Sequence, residues 1–245
     1  MSGRLTEAEA RRLLALGRDL GPAAPNSDIV DMLAVGTGVK PMAGLAACYT
    51  AEGIPAWDVV EPEPTLARED LGRALDAVGF DWVMTPVETV EEDGREFIWY
   101  ELLLGTDRQT VPRFLRTAGP SPGARTQRQY GEALGYPSSA VEWFVDRTPE
   151  ADHDTVFEVI ADSDAYGDNA QTLAASVPYV PSPTREGAKD AISDGRELTN
   201  ALGSLDDVAD RDAYAETLLG ERVRETFSNY DAAQAWRDPL HRAMG

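Results

Sequence analysis

Lysine, cysteine and histidine are all scarce in this chain of 245 residues. Lys40 and Lys189 are its only lysines, Cys48 is its single cysteine, and the remaining basic residues are arginines. One cysteine excludes an intrachain disulfide and any cysteine-rich zinc site. The two histidines, His153 and His241, belong to no metal-binding or catalytic motif such as HExxH. The sequence therefore predicts no metal site and no cofactor.

Long apolar runs are missing as well. No stretch approaches the roughly 20 residues that a transmembrane helix needs. The first residues, MSGRLTEAEARRLL, are amphipathic and charged, unlike a signal peptide. We therefore expect a soluble, cytoplasmic protein with no membrane partner.

Acidic residues dominate the charge: 43 acids stand against 22 bases, a net charge of -21. An acid excess with almost no lysine is typical of proteins that work in molar salt, where screening removes the self-repulsion of such a surface. This composition predicts an intracellular haloarchaeal protein. In such a protein the acid excess is background, so it is weak evidence against nucleic-acid binding, and only local clusters of basic residues remain informative. We do not expect a nucleic-acid partner.

The best local arginine cluster comprises Arg113, Arg116, Arg125 and Arg128, in a stretch without acids from 108 to 131. These arginines either pair with acidic neighbours within the fold or form a site for a small anion. The sequence alone favours the first interpretation and leaves the second open.

Turn signals divide residues 1–120 into helices and strands. Thr6 and Glu9 form a capping box that begins a first helix. The apolar pattern then predicts a strand at 29–35, a helix at 42–52 that buries the Cys48 thiol, and a strand at 57–60. A helix at 66–78 follows, and Asp93-Gly94 predicts a hairpin between strands at 80–90 and 95–104. A helix at 109–116 ends this half.

Residues 121–245 carry almost no strand signal after the GPSPG break at 119–123. Helical periodicity predicts helices at 126–134, 138–147, 149–161, 171–176, 183–202 and 208–229. The predicted fold class is α+β, with a small sheet that includes a β-hairpin in the half 1–120, a helical half 121–245, and both halves packed as one globular unit.

Two local motifs resemble ligand sites but depart from the patterns. The glycines at 36–38 come between a predicted strand and a predicted helix, where a phosphate could bind. Pro41 replaces the residue that either nucleotide-binding pattern requires, so a tight turn is the simpler interpretation. The acidic run 162–168 lacks the bidentate Glu of a calcium loop, because Leu173 stands at that position.

The densest aromatic stretch is 129–146, QYGEALGYPSSAVEWFVD. Gly135 ends one helix, Tyr136-Pro137 forms a turn, and Ser138 is expected to cap the next helix. The motif residues are Gly131, Leu134, Gly135, Tyr136, Pro137, Ser138, Ser139, Trp143 and Phe144. This pattern resembles an archaeal family of unknown function, domain of unknown function family 483.

The resemblance implies a cysteine pair where this chain has Ser138 and Ser139, so any thiol chemistry of that family would be lost here. We therefore expect a non-catalytic binding or regulatory protein with an unknown protein partner. The alternative is an enzyme, or a degenerate enzyme, that acts on a small anionic ligand. Its site would gather Lys40, Arg125, Arg128 and Tyr136.

Overall fold

The computed structural model describes residues 5–56, 66–118, 127–147, 154–163 and 165–244. The chain divides into two compact units. Unit 1 comprises Met1–Gly135 and Ala201–Leu218, and unit 2 comprises Tyr136–Asn200 and Leu219–Gly245. The expectation that the two halves pack as one globular unit stays a prediction.

Unit 1 combines helices with one antiparallel sheet. Its elements in chain order are α1 (Glu7–Leu20), a 3₁₀ turn (Gly21–Ala23), α2 (Asn26–Gly36), β1 (Met42–Thr50), α3 (Arg68–Val78), β2 (Asp81–Glu92), β3 (Arg95–Gly105), α4 (Thr110–Ala118) and α5 (Gln127–Ala133). Strand β3 lies between β1 and β2. Helix α2 packs against β1 and against α1, and the buried leucines of α1 contribute to the core of this unit.

Unit 2 is helical. It contains α6 (Ser138–Arg147), α7 (Asp154–Ala161), α8 (Ala170–Ser176) and the larger parts of α9 (Arg185–Val208) and α10 (Tyr214–Met244). Its core is built around Phe157, Ala174, Ala188 and Ala191, which are fully buried. The first half has a sheet with helices, and the described residues of the second half form helices without strands, which confirms the predicted α+β class.

The capping box and the hairpin are confirmed in detail. Glu9 accepts a hydrogen bond from the Thr6 backbone N–H over 2.8 Å, while Thr6 Oγ1 accepts one from the Glu9 N–H. At the hairpin tip Asp93 and Gly94 have φ angles of 50° and 74°. Two consecutive positive φ angles are typical of the type I′ turn, whose twist matches that of the flanking strands.

Two predicted elements are wrong. Residues 29–35 lie in helix α2 rather than in a strand, and residues 42–50 form strand β1 rather than a helix. Helix α2 is buried on most of its surface, so its sequence shows an apolar run instead of a stripe. Strand β1 contains three alanines, a methionine and a leucine, which favour a helix, but pairing with β3 along its whole length overrides that preference.

The turn at 36–41 therefore joins a helix to a strand, the reverse of the predicted order. Gly38 has a φ of +82°, and the N–H groups of Val39 and Lys40 both donate to the Ala34 carbonyl. These bonds satisfy the end of α2. The predicted strand at 57–60, the GPSPG break and Arg125 lie outside the described residues.

Candidate functional site

Lys40 holds the start of β1 to helix α2. Its ammonium Nζ lies 2.8 Å from Asp31 Oδ2, and the two side chains are only 8% and 13% exposed. This ion pair explains structurally why a lysine is present at position 40 in a chain that has few lysines. An ion pair with so little exposure is weakly screened by salt.

The other members of the predicted anion site lie in different parts of the chain. Arg128 is exposed on α5 in unit 1, whereas Tyr136 belongs to unit 2, where its ring lies 5.1 Å from that of Tyr179. Arg125 lies outside the described residues. A site that combines these three residues with Lys40 stays a prediction.

The first half of the 129–146 motif has a packing role in unit 1. Gly131 and Leu134 are buried, and Gly135 adopts a φ of +79° after the end of α5. A Cβ on Gly135 would lie 2.7 Å from Pro41 Cδ. Both the backbone angle and the neighbouring proline ring therefore require glycine here.

The second half of the motif begins helix α6 in unit 2. The Pro137 carbonyl accepts hydrogen bonds from the N–H groups of Ala140 and Val141, both at 3.0 Å. Pro137 therefore occupies the cap position, and Ser138, which is exposed, is the first helical residue. The prediction that Ser138 caps α6 is wrong by one residue. Trp143 and Phe144 are half-buried further along α6.

Ser139 belongs to a polar cluster that we call the Asp190/Asp194 cluster. Ser139 Oγ donates to Asp190 Oδ2 at 2.6 Å, and the Tyr179 hydroxyl donates to Asp194 Oδ2 at 2.7 Å. The two aspartates lie one turn apart on α9. The cluster thus connects the second motif serine with Tyr179, on which the Tyr136 ring packs.

Burial shifts the pKa of two groups in this cluster, Asp194 and Tyr179. Desolvation raises the pKa of Asp194, and the negative charges of Asp190 and Glu197 raise it further, while the hydrogen bond from Tyr179 opposes them. Burial, with the charge of Asp194, also raises the pKa of Tyr179. Tyr179 therefore remains a neutral donor, which suits a structural hydrogen bond rather than nucleophilic or base chemistry.

A groove that is open to solvent lies on the sheet of unit 1. It consists of two pockets of about 320 and 740 Å³ that share Glu88 and Trp99. We call both pockets together the sheet-face groove. The first pocket is lined by Asp28, Gly44, Leu45, Ala46, Val87, Glu88, Trp99, Tyr100, Glu101 and Tyr130. The second is lined by Cys48, Ala56, Glu88, Val90, Glu92, Asp93, Arg95, Phe97 and Trp99.

A β-bulge in β2 builds the centre of this groove. Pro86 pairs with Tyr100 and Glu88 with Trp99, so Val87 is an extra residue on β2. Without the bulge, Val87 would stand opposite Trp99 and the Glu88 side chain would face the other side of the sheet. The bulge thus places the Glu88 carboxylate beside the Trp99 ring and leaves Val87 52% exposed. Bulges of this kind often re-aim side chains at functional sites.

Tyr130 forms one wall of the first pocket. Its hydroxyl occupies the space that a Cβ on Gly44 would take, and its ring meets Phe114 edge to face at 5.7 Å. Glycine at 44 therefore lets α5 bring an aromatic ring onto the sheet. Beside Tyr130, the Asp28 carboxylate accepts a hydrogen bond from the Ala46 N–H at 2.8 Å. This bond satisfies a backbone donor on the outer edge of β1.

Cys48 lines the second pocket, and its thiol is buried. Its side chain is 4% exposed, and burial raises its pKa, which lowers the thiolate fraction. The prediction that it is buried is confirmed, although it lies on a strand rather than on a helix. The groove therefore offers mainly aromatic, apolar and acidic contacts, with Arg95 as a basic residue in the second pocket.

Sequence reasoning missed Glu88 and Trp99. The available signal was the alternation of Phe97, Trp99 and Glu101 along β3, which puts these side chains on one face of the sheet. The register shift in β2 has no sequence signal beyond Pro86, which lacks a backbone donor.

In the described residues, no three His, Cys, Asp or Glu side chains are grouped so that they could hold a metal ion. No helix in that part of the chain is long and apolar enough to cross a membrane. Comparison of the chain with protein-family models, curated proteins and solved structures gave no match.

Proposed function

We propose that this chain is a non-catalytic binding protein and that the sheet-face groove is its ligand site. The observation that carries the proposal is the bulge at Val87, which brings Glu88 to Trp99 at the junction of two pockets. The first pocket, at about 320 Å³, falls within the size range of small-molecule sites. The buried, weakly acidic thiol of Cys48 supports binding without covalent chemistry.

The alternative, an enzyme that acts on a small anion, has less support. Lys40 is engaged with Asp31, and the first pocket presents the carboxylates of Glu88 and Glu101. An anion would be repelled by these acids. No described feature favours the anion site over the groove.

The test of the binding site uses a blocking variant. Val87→Trp, at an exposed position on the groove, should fill the first pocket, and Ile54→Trp is the matched control because Ile54 is 59% exposed and lines neither pocket. Each protein is equilibrated with a small-molecule extract of cells and analysed by native mass spectrometry. Wild type and Ile54→Trp should retain a ligand that Val87→Trp loses. Retention of the same ligand by all three proteins, or of none by any, would refute the proposal.

The acid excess supports a second part of the proposal, that this is a cytoplasmic protein of a halophilic archaeon. At 1 M salt the screening length is about 3 Å, so repulsion among surface carboxylates is largely removed. Circular dichroism in 0.1 M and 3 M potassium chloride tests this. We expect helical signal to increase with salt, and an unchanged spectrum would contradict it.

Membership of the archaeal family of unknown function that the 134–144 pattern resembles remains a proposal. It is supported by the specific order of Leu134, Gly135, Tyr136 and Pro137 before an aromatic helix. It predicts that relatives with cysteines at 138 and 139 share the turn between α5 and α6. The structure of one such relative tests this directly.

A further inference from the structure

We infer that the sheet-face groove binds a small organic cation with apolar substituents, such as an alkylated ammonium group. This inference rests on the proposed function and adds the chemical class of the ligand. It is carried by charge complementarity and by the aromatic lining of the first pocket. The two features are independent, because one comes from β2 and the other from β3 and α5.

The acidic contribution centres on Glu88. This carboxylate is exposed, stands opposite Trp99 after the bulge, and belongs to both pockets. Among the described residues that line the first pocket, none is basic. In the second pocket, which Glu88 also lines, the basic residue Arg95 is paired in register with Glu92 at the hairpin tip, four residues along β2 from Glu88. A cation bound beside Trp99 would therefore meet a carboxylate at contact distance.

The aromatic contribution comes from Trp99 and Tyr130. Both are half-buried and line the first pocket, so each keeps part of its ring surface accessible. Aromatic faces attract cations, most strongly the indole ring, and alkylated ammonium ions are bound in proteins by this means. The same unit already uses the interaction internally, since the Arg68 guanidinium lies 5.4 Å from the Tyr100 ring centroid.

In molar salt, electrostatic attraction between a ligand and the protein remains effective only at short range. Attraction between exposed charges is largely screened beyond about 3 Å at 1 M salt, whereas a cation in contact with a ring and a carboxylate, with water excluded between them, is screened much less. A bare inorganic cation would keep its hydration shell and gain little from the rings. The combination of carboxylate and aromatic lining therefore favours a poorly hydrated organic cation.

The experiment compares choline with 3,3-dimethylbutanol, a neutral molecule of the same shape. Binding is measured by isothermal titration calorimetry in the salt concentration at which the protein is folded. We expect choline to bind at least about tenfold more tightly than the neutral molecule. Trp99→Leu should weaken choline binding about tenfold, and Glu88→Gln about fivefold.

The matched control is Glu91→Gln, because Glu91 is an exposed acid on the same strand that lines neither pocket. It should leave choline binding unchanged. Equal affinity for the two molecules, no choline binding up to 100 mM (about the weakest detectable site), or equal effects of Glu88→Gln and Glu91→Gln would overturn the inference. If Val87→Trp abolishes retention of a neutral or anionic ligand, the proposed binding function is supported although the inference of a cationic ligand is wrong. If Val87→Trp has no effect on any ligand, both fail.

Discussion

The Ser139 hydroxyl donates a hydrogen bond to a carboxylate oxygen of Asp190 over 2.6 Å, and so joins α6 to α9 within unit 2. One turn along α9, Asp194 accepts the Tyr179 hydroxyl in the same way. The second serine of the motif is thus part of the packing of unit 2. A cysteine in its place would be a weaker donor to Asp190.

Ser139→Ala should lower the free energy of unfolding by about 1.5 kcal/mol, because it removes a hydrogen bond to a charged acceptor. The control is Ser138→Ala, since Ser138 is exposed and its neighbour Pro137 supplies the cap carbonyl. That variant should change stability by less than about 0.5 kcal/mol. Urea unfolding at constant potassium chloride, followed by circular dichroism, measures both. Equal losses would show that the contact with Asp190 contributes nothing.

Asp194→Asn should stabilise the protein at neutral pH. The pKa of Asp194 is raised in the folded state, so the folded protein holds the proton more tightly than the unfolded chain does. The stability that this proton contributes is therefore present below the unfolded pKa and is lost as pH rises through the raised folded pKa. Asparagine removes that loss, since it carries no charge and its carbonyl still accepts from Tyr179.

The gain from Asp194→Asn should therefore shrink as pH falls toward 3.8, the ordinary value for aspartate. Thermal unfolding of wild type and variant between pH 4 and pH 8 measures the difference. The control is Asp210→Asn, because Asp210 is a largely exposed aspartate in the other unit. The difference in thermal stability between wild type and Asp210→Asn should not show the pH dependence expected for Asp194→Asn. A gain from Asp194→Asn at pH 4 as large as that at pH 8 would contradict the assigned role of Asp194.

Short sequence motifs correctly predicted the parts of the fold that depend only on neighbouring residues. The Thr6–Glu9 capping box and the Asp93-Gly94 turn are each complete within four residues, so the sequence contains all the information. The exchange of helix and strand at α2 and β1 has the opposite cause. Both segments are largely buried, so neither shows a clear periodicity. The β1 segment is a strand because it pairs with β3, which is distant along the chain.

The candidate site was less predictable than the fold for a similar reason. The side that Glu88 faces depends on one inserted residue, Val87, and therefore on the register of β2 against β3. The sequence indicated Lys40 instead, because lysine is rare in this chain. The ion pair with Asp31 explains why a lysine is present there. Unusual residues mark constrained positions, but only the three-dimensional contacts distinguish a structural constraint from a ligand site.

The ion pair between Lys40 and Asp31 should contribute strongly to unit 1. Lys40→Met leaves the carboxylate of a nearly buried pair without its ammonium partner, which costs about 3 kcal/mol. The double variant Lys40→Met/Asp31→Leu should lose less than Lys40→Met alone, because it removes both charges. Arg73→Met is the control: the Arg73–Asp70 pair is exposed, with side chains 81% and 43% accessible, and should cost less than about 1 kcal/mol. Urea unfolding of all variants tests this, and a double variant less stable than Lys40→Met would contradict it.

Gly135→Ala should destabilise unit 1 for two separable reasons. At a φ of +79° any side chain costs about 1–2 kcal/mol, and the added Cβ would also press on Pro41 at 2.7 Å from Cδ, which costs about 1–3 kcal/mol more. Gly38→Ala carries the first cost alone, since Gly38 has a φ of +82° and nothing within 4 Å of an added Cβ.

The difference between Gly135→Ala and Gly38→Ala thus measures the contact with Pro41. Combining Gly135→Ala with Pro41→Ala removes the two ring atoms that the new Cβ would meet. The loss in the double variant should therefore be smaller than the sum of the two single losses, by about 1–2 kcal/mol. Additive losses would mean that Gly135 is required for its backbone angle alone, and that the approach of the motif turn to the start of β1 is not what selects glycine.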